Sequence, residues 1–272
     1  MPTLEMRSRR MPHCLVVVCF FFVLPWIAEF TMKHTPRALM MQAIEDGQIA
    51  SVHSWLKRGV SPNSVGWPTH ESGISFWYVR LLHPHDQDTS TALMLARSNV
   101  DIVRLLMDSG ADASTKEASA LRYAAYRGDI GVLGVYLDYK LPTTALVAAV
   151  RGAAEANQIS VMEFLFSRGV PMDGEDIKGW SPLLAAVRAS NWKCADFILA
   201  KGANIDYKNK KNGKTTLIRV ADEGSPESVT WLVTHHANVN LRDSEGHTAL
   251  YYALRRGDKG IATLLKQAGG ME

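Results

Sequence analysis

The sequence is poor in cysteine, which excludes a covalent or metal-bound framework. Of its three cysteines, Cys14 and Cys19 lie in one apolar stretch near the N-terminus, so Cys194 is the only one in the rest of the chain. A single thiol can form neither an intramolecular disulfide nor a zinc cluster. Packing must therefore stabilise the fold, and the hydrophobic content of 47% is that of an ordinary folded chain.

The sequence also lacks an excess of charge of one sign. Its 30 Lys and Arg residues against 27 Asp and Glu residues give a net charge of +3, whereas a nucleic-acid-binding surface calls for a strong basic excess. One basic run extends from Lys208 to Lys214. Acidic residues follow it in the next elements: Asp222, Glu223, Asp243 and Glu245. The run therefore indicates a solvated loop, and no nucleic-acid partner is predicted.

Catalytic signatures are missing as well. The sequence contains no Walker or dinucleotide-binding glycine loop, and no nucleophile with its base stands out. The densest polar group is the segment from His83 to Asp88, in which Pro84 separates two histidines and gives neither helical spacing nor a defined turn. A solvated loop is favoured there, and a metal-binding or enzymatic site is the alternative. The chain is predicted to be no enzyme and to need no cofactor.

The first forty residues have the layout of an export signal. Arg7, Arg9 and Arg10 precede an apolar run from Cys14 to Ala28. This run would rise only about 22 Å as a helix, short of the roughly 30 Å hydrocarbon core of a bilayer. Residues 1–28 are therefore predicted to be a signal peptide or a short membrane anchor, with a linker at 29–35. Trp26 is large for a position near a cleavage site, so an uncleaved membrane anchor is retained as the alternative.

The position of the arginines before the apolar run sets the expected cellular location. Basic residues before an apolar segment stay in the cytoplasm, so the remainder is expected to be exported. No asparagine lies in an Asn-x-Ser/Thr acceptor, which favours a bacterial envelope over an endoplasmic reticulum lumen. The predicted location is the bacterial periplasm, free or anchored to the inner membrane, with membrane contact only through an uncleaved N-terminal segment. The alternative is a cytosolic or host-directed protein that starts at Met32.

A repeat with a period of about 33 residues organises the rest of the chain. Its clearest copies are Ser181 to Ala186, Thr215 to Ala221 and Thr248 to Ala253, whose starts are 34 and 33 residues apart. Each copy reads as a hydroxyl residue, then Pro, Ala or Thr, then Leu, and then Ala. An apolar stretch follows in each copy and leads to Gly-Ala-Asn, His-Ala-Asn or Gly-Gly.

This frame resembles the ankyrin repeat, whose pattern is Thr-Pro-Leu-His, paired alanines, a Gly between helices and a closing Gly-Ala-Asp. Looser copies begin near Ala43, Thr91, Ser119 and Thr144, and the last of these carries about one extra helical turn. The family's histidine is absent from every copy, so apolar packing must compensate for its hydrogen bonds. The resemblance implies an all-α solenoid of about seven repeats over residues 36–270, each a helix pair with a hairpin finger.

Elementary physics accounts for the residues of the frame. Ser181, Thr215 and Thr248 can cap a helix, and Pro182 suits the first turn, where an amide is unpaired in any case. Alanine pairs let neighbouring helices approach closely, while Leu and Val fill the seam between repeats. Gly224 fits a tight turn between helices, where a positive φ is cheap only for glycine.

An aromatic-rich insertion at 65–88 is not explained by the repeat. It brings together Trp67, Phe76, Trp77, Tyr78 and Arg80, which are residue types enriched at binding hot spots. Two interpretations stay open: these rings cover the apolar end of the stack, or they bind a partner. Trp55 and Trp231 are different, because they fall at inward positions of second helices and are predicted to be core.

The resemblance implies a non-catalytic protein-interaction module that binds a protein partner through its concave face. The family's usual contact positions fall here on Tyr126, Arg127, Lys178, Trp180, Arg188, Lys211, Lys214, Asp222, Glu223, Glu245, His247, Arg255 and Arg256. Trp67, Trp77 and Tyr78 extend this face if the insertion leans toward it. The hypothesis that follows is an envelope protein that acts as an immunity or inhibitor protein, or that supports a periplasmic enzyme.

Overall fold

A computed structural model describes residues 35–66 and 90–271. The predicted signal or anchor segment, Trp67, Trp77, Tyr78 and the segment from His83 to Asp88 lie outside the described residues. The chain divides into two compact units, Met1–Ala96 and Arg97–Glu272.

The described part of the first unit is a helix pair, a short strand pair and a further helix. Helix α1 spans Pro36–Glu45 and α2 spans Ile49–Lys57, and α3 spans Ala92–Leu95. Strands β1, Val65–Gly66, and β2, Ser90–Thr91, are antiparallel. The hydroxyls of Thr35 and Thr91 accept hydrogen bonds from the amides of Ala38 and Met94, so both α1 and α3 begin at a capped turn.

The second unit is built of helices joined by turns and loops. They are α4 (Val100–Asp108), α5 (Thr115–Arg127), α6 (Ile130–Leu137), α7 (Thr143–Glu155), α8 (Ile159–Ser167), α9 (Pro182–Arg188), α10 (Trp192–Ala200), α11 (Thr216–Glu223), α12 (Pro226–Thr234), α13 (Ala249–Arg256) and α14 (Lys259–Gln267). The first helices α5, α7, α9, α11 and α13 pack on one another in chain order, and α12 packs on α14. The predicted helix pairs are thus confirmed in this unit. The count of seven repeats stays a prediction.

The predicted caps are confirmed in the C-terminal copies. The hydroxyls of Ser181, Thr215 and Thr248 accept the amide of the residue three positions on, at 3.1 to 3.3 Å. Helix α5 differs from the predicted frame, because it begins at Thr115 and contains Ser119. An Asp112 turn starts this helix early: its carboxylate accepts the amide of Ser114, and its carbonyl accepts the Thr115 hydroxyl.

Helix α7 is longer than its C-terminal equivalents, as the sequence predicts. It has 13 residues against seven or eight in α9, α11 and α13. Both alanine pairs that compete for one position, at 148–149 and 153–154, are fully buried. They are accommodated together because α5 also has 13 residues and lies against α7 along its length.

The tryptophans of the second helices differ from the prediction. Trp55 and Trp231 are half-buried rather than part of the core. The ring of Trp231 stacks between Trp192 and His235, with centroids 5.8 and 3.9 Å away. These two rings leave part of a side chain this large exposed, so Trp231 is not a core residue.

Candidate protein-binding face

Three loops of the second unit form the fingers that lie beside the first helices. The first finger is 168–181, the second is 201–215 and the third is 235–248. Each is closed near its tip by backbone hydrogen bonds, among them one from the amide of Asp176, Asn209 or Asp243 to the carbonyl of Trp180, Lys214 or His247. The side chain at the start of each tip, Asp176, Asn209 or Asp243, accepts two further amides within the turn. Short polar side chains therefore hold the tips without a strand.

Hydrogen bonds also fasten each finger to the next. The side-chain amide of Asn209 donates to the carbonyl of Gly179 at 2.9 Å, and the amide of Lys210 donates to the carboxylate of Glu175 at 2.7 Å. The amide of Ser244 donates to the carbonyl of Asn212 at 3.0 Å. The three fingers are consequently held in a fixed register.

A carboxylate in α7 joins two first helices. Glu155 lies 3.0 Å from the Arg122 guanidinium of α5 and 3.5 Å from Arg151, one turn away in its own helix. Arg151 is buried and also pairs with the buried carboxylate of Asp176 in the first finger, at 2.5 Å. This arrangement ties α5, α7 and the first finger together. A buried ion pair of this kind fixes the positions of both side chains, since either partner alone would be a costly buried charge.

The same pattern continues in α9 and α11. Glu223 lies 2.9 Å from Arg188 of α9 and 3.2 Å from Arg219 of its own helix. The Trp180 ring lies between the guanidinium of Arg188, 4.1 Å from its centroid, and that of Arg151, 5.4 Å away. Cation–π contacts on this ring therefore connect α7 to α9.

A second carboxylate of α11 connects to α13. Asp222 lies 2.8 Å from the Lys214 ammonium and 2.8 Å from the Arg255 guanidinium. Both cations also lie over the buried Tyr252 ring, at 3.9 and 4.6 Å from its centroid. The Tyr252 hydroxyl in turn donates to Asp243 at 2.7 Å. Burial is the main cause of a raised pKa for Tyr252, and this hydrogen bond raises the pKa further.

These contacts run from α5 to α13 on the side that the fingers border, and together they form what we name the ion-pair network. Its members are Arg122, Arg151, Glu155, Asp176, Arg188, Lys214, Arg219, Asp222, Glu223 and Arg255.

The charge of Asp222 is stabilised by its partners. Partial burial acts to raise the pKa of this carboxyl, but the hydrogen bonds and charges of Lys214 and Arg255 outweigh it and lower the pKa below its ordinary value. A carboxyl whose pKa is lowered on folding adds stability above its unfolded pKa, and that stability is lost as the pH falls through the folded pKa.

Substitution Asp222→Asn is expected to lower the free energy of unfolding by about 1.5 kcal/mol at neutral pH, because two charge-assisted hydrogen bonds weaken. Urea unfolding at several pH values measures this loss, which should shrink below about pH 4 as the native carboxyl becomes protonated. The matched control is Glu245→Gln, at a carboxylate with 72% of its side chain exposed, and it should change stability by less than about 0.5 kcal/mol. An equal loss at acid and neutral pH would contradict the role of the Asp222 charge.

The structure brings several of the predicted contact residues together. Arg188, Lys214, Asp222, Glu223 and Arg255 are members of the ion-pair network, and Trp180 stacks on it. Arg256 donates to the carbonyl of Asp222 at 3.1 Å. The His247 ring stacks on that of Tyr251 with centroids 3.8 Å apart, and it lies 3.4 Å from Glu245.

Other predicted residues lie apart from the network. Lys178 and Lys211 are exposed at the tips of the first and second fingers. Tyr126 and Arg127 lie at the C-terminal end of α5, where Tyr126 is 49% exposed and Arg127 pairs with Asp129 at 3.4 Å. They extend the same row of first helices beyond the ion pairs.

Sequence reasoning missed Arg122, Arg151, Glu155, Asp176 and Arg219, as well as Tyr252. Arg151 and Glu155 are four residues apart in a helix, which is a readable signal for an ion pair. The burial of Arg151 has no such signal, because the partner that permits it, Asp176, is supplied by the next repeat.

The described residues give no indication of a metal site or of a reactive thiol. Across 35–66 and 90–271, no three His, Cys, Asp or Glu side chains are grouped closely enough to hold a metal ion. Burial raises the pKa of the Cys194 thiol to about 11, which suits a structural thiol rather than a nucleophile. Within the same residues, every helix is too short or too polar to cross a membrane.

Family models match the chain in its repeats. The model described as ankyrin repeats in three copies matches residues 198–271, and the model of the single ankyrin repeat matches residues 88–118 and 178–210.

Relatives carry the same repeat in unrelated contexts. The ankyrin repeat and KH domain-containing protein mask-1 of Caenorhabditis elegans is 23% identical over 189 residues, which are 69% of this chain and 7% of that protein. A putative ankyrin repeat-containing protein of Treponema pallidum is 29% identical over 168 residues, 61% of this chain and 47% of that protein. The chain thus spans less than half the length of either relative.

Solved structures show the same fold. The ankyrin repeat domain of human ASB11 superposes with a TM-score of 0.53 at 20% identity, over 86% of this chain and 98% of that one. The ankyrin repeat domain of Bcl-3, described as a member of the IkappaB protein family, gives 0.51 at 22% identity, over 84% and 97%. Together with the capped helix pairs and the fingers, these matches establish that the chain contains ankyrin repeats, and the helix pairs of its second unit stack as a solenoid.

Proposed function

We propose that this protein is a non-catalytic scaffold that binds another protein through the ion-pair network and the fingers beside it. The observation that carries the proposal is the network itself, in which half-exposed Arg side chains of successive first helices and the Trp180 ring of the first finger are held in place by ion pairs and cation–π contacts. Arg and Trp dominate binding hot spots, and side chains that are already fixed lose little entropy when a partner binds. Ankyrin repeats serve as protein-interaction modules, which supports the same proposal.

The location we propose is outside the cytoplasm, in a bacterial envelope. The support is the sequence of the first 28 residues, with Arg7, Arg9 and Arg10 before the apolar run. In that compartment the scaffold would act as an immunity or inhibitor protein, or would support a periplasmic enzyme. Sequencing of the mature N-terminus tests this location, and a mature protein that begins at Met32 and stays in the cytosol would contradict it.

Site-specific photo-crosslinking tests the binding face. A photoreactive phenylalanine analogue at Tyr126 or Tyr251, which lie on first helices, is expected to form an adduct with the partner in cells. The matched controls are Thr230 and Lys266, which are exposed positions on the second helices α12 and α14. Adducts from the control positions alone would show that the second helices carry the interaction.

A further inference from the structure

The ion-pair network contains more positive than negative charge. Each of its half-buried carboxylates is shared by two basic side chains: Glu155 by Arg122 and Arg151, Glu223 by Arg188 and Arg219, and Asp222 by Lys214 and Arg255. With the buried Asp176 included, six basic side chains share four carboxylates. The network therefore leaves an excess of positive charge on the first helices.

Two of the basic groups, one at each end of the network, are more exposed than the carboxylates they pair with, whereas Arg151 and Lys214 are less exposed. The side chains of Arg122 and Arg255 are 39% and 53% exposed, whereas those of Glu155 and Asp222 are each 25% exposed. A guanidinium has five donors in a planar fork, so one edge can hold a carboxylate of the network while another edge stays available to a ligand. Arg256 adds a further cation, because its guanidinium donates to the uncharged backbone carbonyl of Asp222.

The second finger extends this basic surface. Lys208 donates to the carbonyl of Arg242 and so keeps its charge unneutralised by that contact. Lys210 and Lys211 are exposed, and within the described residues their ammonium groups have no carboxylate partner. Lys214 differs from them, because its side chain turns into the network toward Asp222.

Most carboxylates of the fingers accept hydrogen bonds from the protein itself. Asp173, Glu175 and Asp206 each accept a backbone amide of the following finger. Asp243 accepts two amides of its own turn and the Tyr252 hydroxyl. Asp173 and Glu245 are nevertheless exposed, and Glu245 marks the third finger as the edge of the basic surface.

We infer that the partner of this face is an acidic protein segment, rich in Asp and Glu, that lies along α9, α11 and α13 against the second finger. This inference rests on the proposed protein-binding function and names the chemistry of the partner. Carboxylates of such a segment would bind the outer edges of Arg188, Arg255 and Arg256, while Lys210 and Lys211 steer its approach. The Trp180 and Tyr251 rings provide apolar contacts between these charges.

The test uses the purified full chain and a fluorescein-labelled oligo-glutamate peptide, with binding measured by fluorescence anisotropy at low and physiological salt. The peptide is expected to bind at low salt and to weaken as salt rises. The double variant Lys210→Gln with Lys211→Gln, and separately Arg255→Gln, are each expected to weaken binding about tenfold. The matched control makes the same charge change on α14, with Lys259→Gln and Lys266→Gln, and should leave the affinity within about twofold.

Comparison probes separate the outcomes. An oligo-lysine peptide of the same length and an uncharged Gly-Ser peptide should not bind. Equal weakening by the α14 control would show non-specific attraction and would overturn the inference. An oligo-thymidylate strand that binds as tightly as oligo-glutamate, and responds to the same variants, would identify a nucleic-acid surface and overturn it as well. Failure of oligo-glutamate to bind, together with a photo-crosslinked partner at Tyr126 or Tyr251, would refute the acidic partner and leave the protein-binding function intact.

Discussion

Substitution Gly152→Ala in α7 is expected to destabilise the protein by about 3 kcal/mol, although alanine is the better helix former. A Cβ atom at this position would lie 2.2 Å from the backbone carbonyl oxygen of Arg122 and 2.9 Å from its Cγ atom. A backbone carbonyl in a neighbouring helix cannot rotate away as a side chain can. The substitution would therefore push α5 from α7 and disturb the pair of Arg122 with Glu155.

The matched control for this prediction is Gly134→Ala. Gly134 also lies inside a helix, α6, but its Cβ atom would meet nothing closer than Phe164 Cζ at 4.0 Å. This variant is expected to gain about 0.5 to 1 kcal/mol, as a glycine replaced within a helix normally does. Thermal and urea unfolding of both variants measures the expected loss of stability in Gly152→Ala and the expected gain in Gly134→Ala. If Gly152→Ala were as stable as Gly134→Ala, the close contact of α5 with α7 would be wrong.

Substitution Arg151→Met is expected to cost about 3 to 5 kcal/mol, because it leaves the carboxylate of Asp176 buried without its cation. The side chains of Arg151 and Asp176 are only 5% and 1% exposed, so water cannot replace the missing partner. The loss should appear as a lower midpoint in urea unfolding. The control is Arg168→Met, because the pair of Arg168 with Asp138 is 43% and 48% exposed, and this change should cost less than about 0.5 kcal/mol.

A double-mutant cycle isolates the buried pair. Addition of Asp176→Asn removes the stranded charge, while an amide oxygen can still accept the backbone amides of Lys178 and Trp180. The double variant should therefore be more stable than the sum of the single losses predicts, by about 2 kcal/mol. Strict additivity would show that Arg151 acts through packing alone.

Local features of the fold could be predicted from the sequence. The caps Ser181, Thr215 and Thr248 were predictable because a hydroxyl before a helix bonds to an amide only three residues away. The extra length of α7 was also visible, since two alanine pairs within one copy imply more helix than one repeat needs. The early start of α5 was missed, because an Asp112 turn set it instead of the frame's Ser119.

The candidate site was predictable only in outline. The repeat frame located Trp180, Arg188, Asp222, Glu223 and Arg255 on one face, and the structure brings these residues together. Their pairing was not predictable, because each carboxylate is shared between helices that are about one repeat apart in sequence. For the same reason, the exposure of Trp231 was misjudged, since it depends on how much of the ring its neighbours Trp192 and His235 cover.

The sequence by itself determined the repeat, its period of about 33 residues and the starts of the first helices in the C-terminal copies. These properties follow from hydrogen bonds within a turn and from the spacing of apolar residues along one helix, which are local in the chain. Only the tertiary structure decided which charges are paired, which cation is buried and which lysines of the second finger stay exposed. Those outcomes depend on desolvation by residues about one repeat away in the sequence. The residues next to a side chain in the sequence therefore do not show how strongly it is desolvated.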